Sequence, residues 1–411
     1  MARAGTHVVG LDIGTTKVCV LIAEPRGAGA LDIIGFGSAP SRGMRKGVVV
    51  NLDSCVASIK QAVEEAELMA GCSVDRAFVG IAGAHVRGLN SRGVIAISGR
   101  DHEVTRDDVH RVLAAARAVS IPPEREIFHV LPQEFMVDDQ DGIHDPAGMT
   151  GSKLQANVHI VTASVTAAQN LVNSVNRAGV EVEEVVLEQL AAADAVLTPD
   201  EKEMGVALID IGAGTTDLVI FERGAIRHIA TLPTGGEHVT NDIAVGLRTP
   251  IPEAERIKKK HGCALAGLVG DEDTVEVPSV GGRKPRVLSR QLLCEIVQPR
   301  VEEIFQLLAE EFARSAFDRS IHAGVVLTGG GSMLEGIQEA AERALNVPVR
   351  CGAPAGLGGL ADAVATPQHS TVVGLALFGA RRRESLPQKT AHPFRLGRVG
   401  DMVKGWLSEL F

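Results

Sequence analysis

The apolar residues gather in short runs cut by glycine and small polar residues, a spacing that predicts buried strands alternating with helices. Two pairs of runs share one design. Val9-Gly10-Leu11-Asp12-Ile13 and Val18-Cys19-Val20-Leu21-Ile22 flank the tip Gly14-Thr15-Thr16-Lys17. Leu208-Ile209-Asp210-Ile211 and Leu218-Val219-Ile220-Phe221 flank Gly212-Ala213-Gly214-Thr215-Thr216-Asp217. Each pair predicts two strands joined by a tight turn whose glycines let backbone N–H groups face an anion. Matching Asp-Ile-Gly with Asp-Ile-Gly and Thr-Thr with Thr-Thr leaves an Ala-Gly pair inserted in the second copy. A repeat separated by most of a domain indicates two related halves.

A dinucleotide fingerprint at Gly212-x-Gly214 would need a third small residue and a following helix. The third slot is Asp217, and the run after it is strand-like. A ligand-free structural hairpin is the other reading of either copy, and the pairing argues against it. Two tips facing each other across a cleft would hold a polyphosphate, with Asp12 and Asp210 placed for a hydrated Mg2+. A third element follows the strand Ala323-Gly324-Val325-Val326-Leu327-Thr328. There Gly329-Gly330-Gly331-Ser332 leads into a predicted helix from Met333, with Ser332 and Glu335 as a capping box. A helix N-terminus behind those glycines would favour an α-phosphate and ribose.

In chain order, the first hairpin is followed by a predicted strand over 31–36, a helix with Val56, Ile59, Val63 and Ala66 on one face, and a strand over 77–81. From Gly83 the pattern changes to a small α+β module: a strand over 94–97, a helix from Thr105 to Val119 stopped by Ile121-Pro122-Pro123, and a strand over 157–161. Helices over 165–178 and 188–197 enclose a strand over 182–186, and Thr198-Pro199-Asp200 marks the boundary between halves. The second half continues with a strand over 226–232, Gly235-Gly236, helices over 237–247 and 252–261, and a loop-rich stretch over 265–286. A long helical region over 291–317, interrupted at Pro299, precedes the final α/β piece.

Residues 379–396, with Arg381-Arg382-Arg383 and two prolines, read as a flexible tether. Beyond it Val399, Met402, Val403, Trp406, Leu407, Leu410 and Phe411 recur at helical spacing. At ~21 Å that helix is too short for the ~30 Å hydrocarbon core, and Arg398, Asp401, Lys404, Ser408 and Glu409 fall on its other face. It suits the plane of a membrane interface.

Composition narrows the partners. The 411 residues are 45% hydrophobic and 22% charged, so an ordinary folded protein of two or more domains is expected. A net charge of −10, 3% aromatics and no Tyr argue against nucleic acid. Six scattered cysteines without a Cys-x-x-Cys read as reduced thiols of a cytosolic protein, and His102, His110, His129, His144 and His159 lack metal-ligand spacing. The residues before the first strand leave no room for a signal peptide, and no run is long enough to span a membrane.

The two Asp-Ile-Gly hairpins and Thr328-Gly329-Gly330-Gly331-Ser332 resemble the phosphate and adenosine motifs of the actin-like ATPases, a group that includes sugar kinases and heat-shock chaperones. Further stretches resemble the bacterial cell-division family FtsA: Asn90-Ser91-Arg92-Gly93-Val94, Ala118-Val119-Ser120-Ile121-Pro122-Pro123, His129-Val130-Leu131-Pro132-Gln133-Glu134, and Gly235-Gly236-Glu237-His238-Val239-Thr240-Asn241-Asp242-Ile243-Ala244 with Leu247-Arg248-Thr249-Pro250. The resemblance covers the chain from the first strand to the C-terminal helix. It implies an α/β, actin-like two-domain ATPase fold with an inserted α+β module and a C-terminal amphipathic helix. The implied divisions are a first lobe over 1–82, 163–200 and 366–379, the insert over 83–162, and a second lobe over 201–235 and 318–365. A small subdomain over 236–317, a linker over 380–397 and a membrane helix over 398–411 complete them.

The resemblance further implies ATP and Mg2+ in the cleft, with Gly14, Thr15, Thr16 and Lys17 on one side of the phosphates and Gly212, Gly214, Thr215 and Thr216 on the other. Asp12 and Asp210 would act on Mg2+ through water, and Gly329, Gly330 and Gly331 would line the adenosine end. Gly235, Gly236, Glu255 and Lys258 are further nucleotide candidates. Glu188 stands where relatives place an acid that orients attacking water, but Gln189 replaces the usual proline, so hydrolysis is expected to be slow. The same resemblance implies self-association into polymers on the cytoplasmic face of the inner membrane at the division site. It also implies binding of the FtsZ C-terminal tail near Arg286, Arg290 and Arg300, and of later division proteins at the inserted module. A small-molecule kinase on the same scaffold is the alternative; it has no evident use for a tethered interfacial helix.

Overall fold

The chain lays down two copies of one strand pattern with a separate small sheet spliced into the first. The computed structural model describes residues 7–27, 30–98, 101–281, 284–315 and 320–385. The first copy opens with β1 (Val8–Ile13), β2 (Lys17–Pro25) and β3 (Leu31–Pro40), then the short pair β4 (Met44–Arg45) and β5 (Val48–Val49), α1 (Leu52–Ala70) and β6 (Arg76–Ile81). Asn51 caps α1 by accepting the N–H of Ser54, and Gly71 at φ +68 closes it, a left-handed position that disfavours a side chain. Cys55, Ile59, Ala62, Val63 and Ala66 form its buried face.

The insert comprises β7 (Arg87–Ala96), α2 (Arg106–Arg117), β8 (Arg125–Val137), β9 (Gln140–Ile143) and β10 (Lys153–Ser164). A capping box between Thr105 and Asp108 starts α2. That helix ends at Arg117, earlier than the Pro pair alone suggests. The 13-residue β8 falls in a stretch not assigned from sequence. It tolerates Pro132 where the pairing with β10 slips between Asn157 and Val158.

The first copy resumes with α3 (Val165–Arg177), β11 (Glu181–Leu187), α4 (Glu188–Val196) and α5 (Pro199–Met204), a helical turn whose capping box is formed by Thr198 and Glu201. The second copy runs β12 (Val206–Ile211), β13 (Thr216–Glu222), β14 (Ala225–Leu232), α6 (Gly236–Leu247), α7 (Ile251–His261), β15 (Thr274–Val277), β16 (Arg286–Ser289) and α8 (Arg290–Ser315). It ends with β17 (Val325–Thr328), α9 (Ile337–Leu345) and β18 (Val349–Cys351); β19 (Leu357–Gly359) and α10 (Ser370–Ser385) return to the first copy. Pro299 does not interrupt α8. An unbroken apolar stripe from Leu293 through Val297, Val301, Ile304, Phe305 and Leu308 to Phe312 offsets the lost helix bond, which costs about 3 kcal/mol.

Five strands of one main sheet correspond one for one to the five of the other, with β19 an extra edge strand on the first. One has the order β11-β6-β1-β2-β3-β19 and the other β18-β17-β12-β13-β14 when read in the matching direction. In both, an antiparallel hairpin lies beside a parallel strand. Between the sheets α4 and α10 cross closely, because a Cβ at Gly374 would collide with the Ala191 carbonyl. Apolar residues of both sheets share one core, including Leu11, Val79, Leu208 and Val219.

The polar run Arg381-Arg382-Arg383 is not tether. It forms the last turns of α10, where Arg382 pairs with Glu184 at 3.0 Å, Arg383 with Glu183 at 2.5 Å, and Arg381 with Asp194. The linker beyond Ser385 and the amphipathic stretch with Val399, Met402, Val403, Trp406, Leu407, Leu410 and Phe411 lie outside the described residues.

Candidate functional site at the facing hairpins

The two hairpin tips have the same length. Ile13 pairs with Val18 and Ile211 with Thr216, leaving four residues in each turn. Each turn is closed by the same bond, Gly14 N–H to Lys17 O at 3.0 Å and Gly212 N–H to Thr215 O at 2.9 Å. The alignment is therefore free of gaps, and the inserted Ala-Gly pair of the sequence reading disappears: Lys17 matches Thr215, and Cys19 matches Asp217. The tips face each other closely enough that a Cβ on Gly214 would lie 2.7 Å from Thr15 Oγ1.

Between them lies a cavity of about 570 Å³, a size suited to a cofactor. The first hairpin contributes Asp12, Gly14, Thr15, Thr16 and Lys17, and the second contributes Asp210, Gly212 and Thr215. Gly329, Gly330 and Gly331 line it from the second lobe, with Gly236, Glu255, Lys258 and, from α4, Glu188. Three other candidates stand behind this surface. Gly214 backs onto Thr15, Thr216 is buried with its hydroxyl donating to Thr234 O at 2.9 Å, and Gly235 packs on the Gly212 carbonyl.

Buried carboxylates dominate the electrostatics. Burial pushes Asp12 up to about 6 against the pull of Lys17, and pushes Asp217 up to about 6 despite three side-chain donors. Burial, then the charges of Asp217 and Asp12, push Asp210 up to about 7. Glu188 is raised well above the ordinary carboxylate range by burial and by Asp12, Asp217 and Asp210. Lys17 spends one donor on the Gln368 carbonyl at 2.5 Å. Such a cluster favours added positive charge. Among the described residues, no three His, Cys, Asp or Glu side chains are grouped to ligate one metal ion directly.

The glycines fit close approach. Gly329 has φ +83, and a Cβ there would collide with Asp210 Oδ1; Gly80 is bare because Glu188 lies across it, with Cγ 2.8 Å and Oε1 2.9 Å from where its Cβ would be. No helix starts directly behind Gly329 to Gly331, contrary to the expectation from Ser332 and Glu335. Gly330–Met333 is a 3-10 turn, and Gly336 at φ +73 separates it from α9. Ser332 Oγ donates to the Gly329 carbonyl at 2.8 Å, and Glu335 turns away to pair with Arg290. A tight glycine turn lines the cleft there in place of a long helix's N-terminus.

At α6 the first N–H groups are already used, Gly236 donating to Gly212 O at 2.9 Å and Glu237 to Ala213 O at 2.8 Å. Lys258 donates to Gly236 O at 2.9 Å and Thr240 Oγ1 at 2.8 Å and pairs with Glu255 at 2.6 Å, so these side chains are set as a unit at the cleft wall. The three arginines considered for an acidic tail all have intramolecular partners. Arg286 donates to Leu247 O, Arg290 to His261 O and Glu335, and Arg300 to Asp242 and Glu303.

Two residues of the site escaped the sequence reading. Asp217 entered it only as a misfit to a glycine pattern, and the gap-free register that sets it opposite Asp210 is the signal that finds it. Gln189 drew notice only as a missing proline; its amide donates to Asp217 Oδ1 at 2.8 Å.

Solved structures define the class. The chain superposes on a PilM–PilN type IV pilus biogenesis complex with TM-score 0.66 at 17% identity, covering 91% of this chain and 98% of that one. It superposes on MreB5 of Spiroplasma citri bound to ADP with TM-score 0.55 at 15% identity, covering 93% and 100%. Paired sheets, facing hairpins and inserted module make this an actin-like ATPase fold.

Within that class, the family model for cell division protein FtsA matches residues 207–374 and that for the SHS2 domain inserted in FtsA matches residues 83–162. Cell division protein FtsA of Pseudomonas aeruginosa is 52% identical, covering 93% of this chain and 91% of the relative, and that of Escherichia coli K12 is 43% identical, covering 98% and 96%. The chain belongs to the FtsA family of cell division proteins.

Proposed function

We propose that the chain binds ATP with Mg2+ between its two hairpins, hydrolyses it slowly if at all, and self-associates on the cytoplasmic face of the inner membrane to tether the FtsZ ring at the division site. The observation that carries the reading is the meeting of Gly14–Lys17 and Gly212–Thr215 turns, closed by identical bonds, over the buried carboxylates of Asp12 and Asp217 and the half-buried ones of Asp210 and Glu188. Backbone N–H groups at such tips suit phosphate oxygens, and Asp12 and Asp210 suit a cation held through water. The magnesium would supply charge neutralisation; Lys17 and the tip amides of this chain would bind and orient the phosphates, and Glu188 would hold or take a proton from water. Likeness in fold to MreB5 of Spiroplasma citri, solved with ADP and with AMPPNP, supports the nucleotide. Likeness to the MamK double helical filament supports self-association.

The remaining roles rest on family membership and on surface chemistry. No helix among the described residues is long and apolar enough to cross a membrane. Attachment is assigned to Val399, Met402, Val403, Trp406, Leu407, Leu410 and Phe411, with weak single helices summed by avidity along a polymer. The FtsZ tail is assigned to the small subdomain, where α6, β16 and the first turn of α8 leave Val245, Val287 and Leu292 exposed. Arg286, Arg290 or Arg300 would exchange an internal partner for the acidic tail. Later division proteins are assigned to the inserted module. Titration of a fluorescent ATP analogue with Mg2+ tests the core of the proposal: Lys17→Ala is expected to weaken binding at least about tenfold. Equal affinity in the variant would remove it.

A further inference from the structure

Gln189 is the second residue of α4, which follows β11 of the first sheet directly and lies between the two sheets, and its side chain reaches the second lobe. Its Nε2 donates to Asp217 Oδ1 at 2.8 Å and to Thr231 Oγ1 at 3.3 Å, and only 2% of the residue is exposed. Thr231 and Thr215 supply the other side-chain bonds to Asp217, at 2.5 and 3.0 Å, and both belong to the second lobe. Gln189 is therefore the one first-lobe side chain bonded to Asp217 among the described residues. Its Oε1 is buried without a partner among the described residues, so the amide is held in place through its donor end.

We propose that Gln189 is an inter-lobe latch and positioning residue, whose amide ties the second hairpin to the first turn of α4 and thereby sets Glu188 and Asp217 against the cleft. The proposal rests on the reading of that cleft as the nucleotide site. Glu188 is the adjacent residue and lies over Gly80 of β6, so displacement of α4 moves it directly. The same turn is anchored to the insert on its other side, because Leu187 donates its N–H to His129 Nε2 at 3.2 Å. Swinging the second lobe outward must break a buried bond to a carboxylate or drag α4 along. A proline in this position has no amide with which to make the bond. The latch is thus particular to a chain with glutamine here.

The full chain, free of nucleotide, is compared with Gln189→Met by amide hydrogen exchange over residues 215–219 and 188–191. Release of a fluorescent ATP analogue in the presence of Mg2+ is then timed. Methionine keeps the volume and leaves no new polar atom buried, so the melting temperature should move by only a few degrees. Exchange in both segments and analogue release should each quicken about tenfold. Gln189→Asn, which keeps the amide but shortens its reach by one methylene, should behave like Gln189→Met. Unchanged exchange and release in both variants would overturn the latch, and so would faster exchange confined to residues 188–191. If the parent chain takes up no analogue, the nucleotide reading fails while the exchange comparison still decides the latch.

Discussion

Nε2 of His129, on the inserted module, accepts the backbone N–H of Leu187, the residue just before Glu188. Burial, with the charge of Arg382 nearby, lowers His129 to about 4, so its ring is neutral at pH 7 and the hydrogen bond is intact. A base whose folded pKa lies below its unfolded value of 6.5 contributes stability that is lost as pH falls from 6.5 toward 4. His129→Phe is expected to cost about 1–3 kcal/mol at pH 7, by leaving the Leu187 N–H unpaired, and to flatten the decline of stability over pH 6.5–4. Denaturant titrations at several pH values check both.

The carboxylates work in the opposite sense. Asp210 is raised from 3.8 to about 7, so the folded state without a cation is favoured below pH 3.8 and loses that advantage as pH rises through 7. Asp210→Asn should therefore stabilise the ligand-free chain at pH 8 by roughly 1–3 kcal/mol while abolishing the stabilisation by Mg-ATP. Thermal melts with and without Mg-ATP measure both effects.

The end of α10 is a structural clamp. Arg382 and Glu184 face each other with about a tenth of each side chain exposed. Arg382→Ala strands a buried carboxylate and should cost about 3–5 kcal/mol, whereas Arg382→Met with Glu184→Leu should recover most of the loss. Chemical denaturation of the two variants decides it; equal stability of Arg382→Ala and parent would place the pair in solvent.

These differences show which features can be read from sequence. The duplicated Asp-Ile-Gly motifs, at Asp12 and Asp210, are local and announce two related halves. The register between them is not local: Thr15-Thr16 and Thr215-Thr216 look equivalent, but the turns pair Lys17 with Thr215. Arg381-Arg382-Arg383 read as part of a flexible tether because Asp194, Glu183 and Glu184 lie nearly two hundred residues earlier in the chain. The capping-box signal at Ser332 and Glu335 was overridden by Gly336 and by Arg290, which takes the glutamate. Pro132 hid β8, since only the partner strand's irregularity makes a proline acceptable there.

Removal of residues 398–411 should leave Mg-ATP affinity unchanged within about twofold and abolish co-sedimentation with liposomes. Unchanged sedimentation would move membrane attachment elsewhere in the chain.

Glu188→Ala should reduce ATP turnover by about a hundredfold or more while analogue binding persists, if the carboxylate handles the proton of attacking water. Single-turnover assays beside binding titrations separate the two, and equal turnover would reduce Glu188 to a packing role over Gly80.

The proposed function requires two matched turns to grip one triphosphate. The most direct measurement is a crystal structure of the full chain with Mg2+ and a non-hydrolysable ATP analogue. The phosphates are expected between Gly14–Lys17 and Gly212–Thr215, with Asp12 and Asp210 facing the metal through water. Phosphates bound elsewhere, or both turns empty beside a bound nucleotide, would contradict it.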